Sequence, residues 1–257
     1  EEGADDTKTS AGSAAETART VVVQETNGTT VVLDAKKAST NAYKGMHLVA
    51  GNDVTVQKIS DLTMLFDMDK YMYAEESTHF WLSKASGSQE KSKTVIYLDE
   101  GATLNRIVNP LENGAVYQVD TPNSTMAVRG TVFRVEVREG KDGKIYTYLA
   151  VLNGAVKVEL KTTEGKYNGV SETIPAGTAA AIRADETFSE FIGGSGGKHT
   201  APIDYAAFPA GTLRQIIAYI DDNEEIDADR DELEALLKQK LSEANGDEKH
   251  KHSWQTV

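Results

Sequence analysis

The 257-residue sequence contains no cysteine. That excludes a disulfide framework, a zinc ribbon and a thiolate nucleophile. The absence fits a secreted protein of the Gram-positive type that folds without disulfides. No run approaches the ~18 apolar residues of a membrane-spanning helix, and no signal peptide is present. The chain starts Glu1-Glu2-Gly3 without an initiator methionine. We therefore expect a processed or trimmed product; a removed signal peptide or membrane anchor would leave such a start. Positive charge is in deficit, with 27 Lys and Arg against 40 Asp and Glu, a net charge of −13. Phosphates and anionic lipid repel such a chain, which argues against generic binding to nucleic acid or membranes. Acidity serves solubility first, and it would also suit a basic partner or a cation.

Catalytic signatures are missing too. Neither Gly-x-Ser-x-Gly nor His-Glu-x-x-His occurs. Of His47, His79, His199, His250 and His252, the last three fall in a predicted linker or tail. Glu75-Glu76 and Asp99-Glu100 are paired carboxylates of the glycosidase kind. Pairing alone fixes no separation for chemistry, and they read as solvated strand ends. The expectation is a protein without catalysis or cofactor.

What is present is β pattern. Residues 1–18 are small, polar and acidic and read as a disordered leader or stalk. From Arg19 short apolar runs recur about every ten residues between turn signals, the spacing of an all-β sandwich, barrel or stack. Val21, Val22 and Val23 and Val31, Val32 and Leu33 flank Asn27-Gly28, a hairpin signal. Leu62, Met64 and Phe66 share one face, and Asp67-Met68-Asp69-Lys70 marks a tight turn. Residues 84–93 read as a polar loop, and 94–98 resume the strand pattern. Phe133, Val135 and Val137 face one way, with Arg134, Glu136 and Arg138 pointing away. Asn153-Gly154 and Pro175-Ala176-Gly177 are further turns. Tyr71, Tyr73, Tyr97, Tyr146 and Tyr148 fall on predicted strands. They either form an exposed ladder for a glycan or protein, or cover the edge of the core.

Gly-rich residues 193–202 read as a linker. Leu213, Ile216, Ile217 and Ile220, then Leu233, Leu236, Leu237 and Leu241, follow helical spacing and predict a helical hairpin over 203–243. A polar tail, 244–257, ends the chain. The loop between the helices places Asp221, Asn223, Glu225, Asp227, Asp229 and Glu232 at the ligand positions of a calcium loop. Ile226 stands where that loop needs glycine for its sharp turn. The preferred reading is an acid-rich helix N-terminus favoured by the macrodipole, without metal.

The segment 119–137 carries the most distinctive pattern: Thr121-Pro122, then Val128-Arg129-Gly130-Thr131, then Asn153-Gly154 and Gly177 further on. Pro122 fixes a turn, and Gly130 permits a bulge or close backbone approach. Arg129 interrupts an apolar run, so its guanidinium either reaches solvent or finds carbonyl or carboxylate partners, with Asp120 the candidate; an anion or ligand contact is the less favoured reading. This run resembles the core of the FecR family, and residues 42–73 resemble extracytoplasmic FecR-domain proteins of gut Firmicutes. FecR is a membrane-spanning anti-sigma regulator that receives a signal by protein–protein contact. The resemblance, covering roughly 19–192, implies a mainly β, twisted, solenoid-like double-sheet domain with the C-terminal α-helical hairpin appended. Thr121, Pro122, Arg129, Gly130, Thr131, Gly154 and Gly177 are its structural motif. It implies an extracytoplasmic sensing or protein-interaction role. A glycan-binding or adhesive module is the alternative, and a glycoside hydrolase or lyase the least favoured. The expected partner is a protein or glycan. Nucleic acid is not expected, and the membrane is reached only through an upstream anchor.

Overall fold

A computed structural model describes residue 19 and residues 21–88, 91–111, 114–183 and 200–253, with side chains as far as 244. The predicted leader 1–18, the core of the predicted linker and the last four residues lie outside these.

The strands, in chain order, are β1 (Val21–Asn27), β2 (Thr30–Leu33), β3 (Ser39–Asn41), β4 (His47–Leu48), β5 (Asp53–Val56), β6 (Asp61–Phe66), β7 (Lys70–Ala74), β8 (Thr78–Ser86) and β9 (Lys93–Ile107). They continue as β10 (Val116–Asp120), β11 (Ser124–Val128), β12 (Val132–Glu139), β13 (Ile145–Asn153), β14 (Ala155–Lys161), β15 (Tyr167–Pro175), β16 (Thr178–Arg183) and β17 (Thr200–Pro202). Helices α1 (Ala210–Asp221) and α2 (Arg230–Ser253) follow a single helical turn at Tyr205–Ala207.

The strands build two layers that share β9. The front sheet runs β3-β2-β5-β8-β9-β10-β11-β14-β15. The back sheet runs β4-β1-β6-β7-β9-β12-β13-β16-β17. β9 pairs with the front sheet up to Glu100 and with the back sheet from Gly101, where φ is 85°. This is the expected double-sheet stack. Period-2 sequences form it because each strand buries one face: β6 alternates, with Leu62, Met64 and Phe66 inside. Residues such as Phe80, Leu98, Tyr117, Phe133 and Val158 fill the space between the layers.

Repeated switching between layers explains where local reading failed. Asn27-Gly28 does not close a hairpin. β1 pairs with β4 and β6 while β2 pairs with β3 and β5, so the turn carries the chain from back to front. The predicted loop 84–93 begins later, because β8 holds its pairing with β9 to Ser86. Thr200–Pro202, assigned to the linker, pairs with β16 as a back-sheet edge. Helix α2 continues through most of the predicted tail to Ser253.

The helical hairpin docks on the outer face of the back sheet. Phe208, Leu213, Ile216 and Leu233 form a second core with Tyr73, Leu104, Val132 and Leu152. Amphipathic spacing on α1 gives it one buried stripe, Leu213, Ile216 and Ile217. No helix among the described residues is long and apolar enough to cross a membrane.

Candidate interaction surface

The distinctive motif turns out to be architecture. Thr121-Pro122-Asn123 is the turn joining β10 and β11, which pair antiparallel. Asn123 is fully buried. Its amide donates to the carbonyls of Ile182 at 3.0 Å and Ile145 at 3.4 Å, and its oxygen accepts from Thr147 Oγ1 at 2.6 Å and Thr121 Oγ1 at 3.1 Å. The turn is therefore pinned to the back sheet. Gly130, Gly154 and Gly177 occupy successive corners on one edge of the stack, all with positive φ. A Cβ on Gly154 would stand 2.6 Å from the Gly130 carbonyl oxygen, so these two corners stack because Gly154 carries no side chain. Thr131 ties the same corners together through its hydroxyl, which donates to the Ala155 carbonyl at 3.1 Å.

Arg129 does not meet Asp120. It is exposed at the corner between β11 and β12. Asp120 instead accepts from Lys161 Nζ at 3.0 Å and Thr125 Oγ1 at 2.5 Å. The arginine that an apolar strand does bury is Arg134, read from the sequence as pointing away from the core. It does point away from the first core, but the hairpin covers that face. Its guanidinium grips Glu75 with Nε at 2.7 Å and Nη2 at 2.8 Å, and reaches Glu136 at 2.7 Å. Thr212 of α1 donates to the same Glu75 carboxylate at 2.5 Å. Burial alone would lower the Arg134 pKa, but the hydrogen bonds and charge of Glu75 outweigh it and raise it. Arg106 makes a second tie to the hairpin, 2.8 Å to Glu224 and 2.9 Å to Asp222, with its guanidinium over the Tyr219 ring. The signal for Arg134 was its charge inside Phe133–Val135. Arg129 carries a similar signal, and only the docked hairpin, which covers the outward face of β12, distinguishes the two.

These contacts disperse the carboxylates that suggested chemistry. Glu75 is sealed under the hairpin. Glu76 is exposed and accepts from the Ile59 amide at 2.6 Å. Asp99 lies on the front sheet beside His79. The calcium-loop candidates are similarly distributed. Asp221 pairs with Arg230 at 2.8 Å, Asp229 caps α2 by accepting from the amides of Asp231 and Glu232, and Asp227 lies against Gly177. Asn223 adopts a left-handed turn, with φ 68°. Among the described residues no three carboxylates or imidazoles gather closely enough to hold a metal ion.

Among the described residues, no element covers the outer face of the front sheet. One rung crosses it, with Asp53, Trp81, Tyr97, Asp120, Thr125 and Glu159 directly opposed on successive strands. Trp81 and Tyr97 stack with centroids 4.1 Å apart and planes 11° apart. Lys161 Nζ lies 5.8 Å from the Tyr97 centroid, from the β14 side. His79 bridges Asp53 and Asp99, each at 3.1 Å. Burial, then the charges of Asp99 and Asp120, push the Tyr97 phenol up. Tyr97 thus lies between Trp81 and Lys161, and Trp81 has one face against Tyr97 and His79 tilted at 5.9 Å, so the rung offers mostly edges and charges. The other tyrosines are divided. Tyr73 is buried under α1, Tyr71 lies beneath Arg106, and Tyr146 and Tyr148 stack on the back sheet with Arg138 over Tyr148. They form no single ladder.

Residues 52–157 match the family model described as FecR protein. Two crystal structures of a "putative anti-sigma factor" from Parabacteroides distasonis ATCC 8503 are similar in fold, at 12% identity and a TM-score of 0.42. The likeness covers 59% of this chain and 60% of that one. No curated protein matches the sequence.

Proposed function

We propose that this chain, which carries a FecR-family domain at residues 52–157, is a non-catalytic sensing or protein-interaction module working outside the cytoplasm. In this reading it belongs to a transmembrane signalling or cell-surface protein and is held at the membrane by an upstream anchor. The observation that carries the reading is the family domain in an asymmetric setting. One outer face is sealed by a hairpin with two buried arginine ties, and the other is open, polar and continuously hydrogen-bonded among the described residues. A hydrogen-bonded sheet face presents a fixed pattern of charges, which suits recognition of a complementary protein surface.

A glycan-binding role is the second reading, favoured by the Trp81–Tyr97 pair among the carboxylates of Asp53, Asp99 and Asp120. Sugar rings stack on free aromatic faces. Here Tyr97 lies between Trp81 and Lys161, which weighs against it. Glycan-array binding and polysaccharide hydrolysis assays on the purified chain separate the two. The expected result is neither selective binding nor turnover. Saturable binding of one glycan class, lost in Trp81→Ala, would replace our reading with the adhesive one.

A further inference from the structure

On the stack edge opposite the motif glycines, four residues turn the chain between layers: Gly28, Ile59, Ser77 and Gly101, with φ of 71°, 56°, 55° and 85°. These turns touch one another. A Cβ on Gly28 would lie 2.7 Å from the Ile59 carbonyl oxygen, the Ser77 amide donates to Gln57 at 3.3 Å, and a Cβ on Gly101 would lie 2.6 Å from the Ser77 oxygen. Ile59 is the odd member. Left-handed backbone is least favourable for a β-branched residue. Its side chain is also 91% exposed, more than any other large apolar residue described. The position carries backbone strain and gains no packing inside the fold. Met68, 75% exposed, has no such strain.

The turn that holds Ile59 is nevertheless tightly fixed. Its amide donates to Glu76 at 2.6 Å, and Ser60 Oγ donates to the Lys58 carbonyl at 3.1 Å while accepting from the Thr29 amide at 2.9 Å. On the same edge, the exposed carboxylates of Glu76, which holds the Ile59 amide, and Glu100, beside the Gly101 corner, outnumber the cation of Lys58, on a chain of net charge −13.

We propose that Ile59 is a preorganised apolar anchor for a partner protein whose docking surface is an apolar pocket ringed by Lys and Arg. The proposal rests on the partner-binding reading above. A side chain held out on a rigid turn loses little freedom on insertion, which is how few residues come to dominate an interface. The acidic rim steers a basic partner toward it. Strain at an exposed residue is then retained for contact with another molecule.

The test uses the full chain in its native host, with the photo-cross-linker p-benzoylphenylalanine in place of Lys58 or, separately, of Ala127 on the open front face. A Lys58 probe is expected to give one discrete adduct. It should map to apolar partner residues flanked by Lys or Arg, and Ile59→Gly should weaken it about 10-fold or more, the effect of losing a buried aliphatic anchor. Ile59→Gly should melt no lower than wild type, so the loss is not unfolding. An adduct unchanged by Ile59→Gly, or one mapping to an acidic surface, overturns the anchor. Adducts from Ala127 alone overturn the anchor but keep the partner-binding reading. Adducts from neither position overturn both.

Discussion

Glu75→Gln tests how the hairpin is held. The substitution keeps shape and leaves Thr212 an acceptor, but it strips the charge that faces an arginine side chain only 8% exposed. Removing one partner of a buried ion pair costs about 3–5 kcal/mol, because the remaining charge stays desolvated. Arg134 keeps Glu136 at 2.7 Å, and that carboxylate is 24% exposed. The cost should therefore fall at the lower end, about 3 kcal/mol. For a chain of this length that lowers Tm by roughly 6–12 °C. Urea unfolding and thermal melts measure it, and hydrogen exchange should show the added opening concentrated in α1. Glu136→Gln, at the rim, should cost about 1 kcal/mol or less. Replacing the buried group together, Arg134→Met, Glu75→Leu and Thr212→Val, should recover most of the loss, since an apolar set carries no desolvation cost and leaves no hydroxyl unpaired. A Glu75→Gln no more damaging than Glu136→Gln would refute this account of docking.

Three further outcomes follow from the same geometry. Asn123→Ala should cost about 3 kcal/mol in urea unfolding, because it leaves buried hydroxyls and carbonyls of both sheets without their partner. Gly154→Ala should cost more than about 2 kcal/mol by the same assay, since its Cβ would meet the Gly130 carbonyl at 2.6 Å in a left-handed turn; a neutral effect would mean the corners do not stack. Asp69 titrates with folding. Burial pushes its carboxyl up, but the hydrogen bonds of Lys70 and Asn109 and the Lys70 charge prevail and hold it below the usual range. A depressed carboxyl stabilises the fold above its unfolded pKa of about 3.9 and stops doing so as pH falls through the folded value. Asp69→Asn should therefore flatten the loss of urea midpoint below about pH 4, and an unchanged pH profile would count against the pairing.

The layer architecture was legible because its determinants are local. Alternation in Leu62, Met64 and Phe66 gave the strand, and Leu213, Ile216 and Ile217 gave the helix. Corner turns were visible as Asn-Gly and Arg-Gly pairs, but what they join was not. Asn27-Gly28 has the composition of a hairpin, and only the pairing of β1 with β6 shows that it changes layer. The same limit misassigned the two arginines. Whether an outward face meets water or another element is a tertiary fact, and Arg134 and Glu75 meet across 59 residues of sequence. Ile59 left its only trace in a mismatch, a β-branched residue at a corner where glycine would be expected. That mismatch is apparent only once Gly28 and Gly101 are seen to share its backbone conformation.

The proposed role is sensing through contact with another protein. The measurement that bears on it most directly is RNA sequencing of the native host with the gene deleted and then restored. The account predicts that a discrete set of transcripts changes on deletion and returns with the wild-type chain. Unchanged transcription, with growth and surface attachment altered instead, would contradict it.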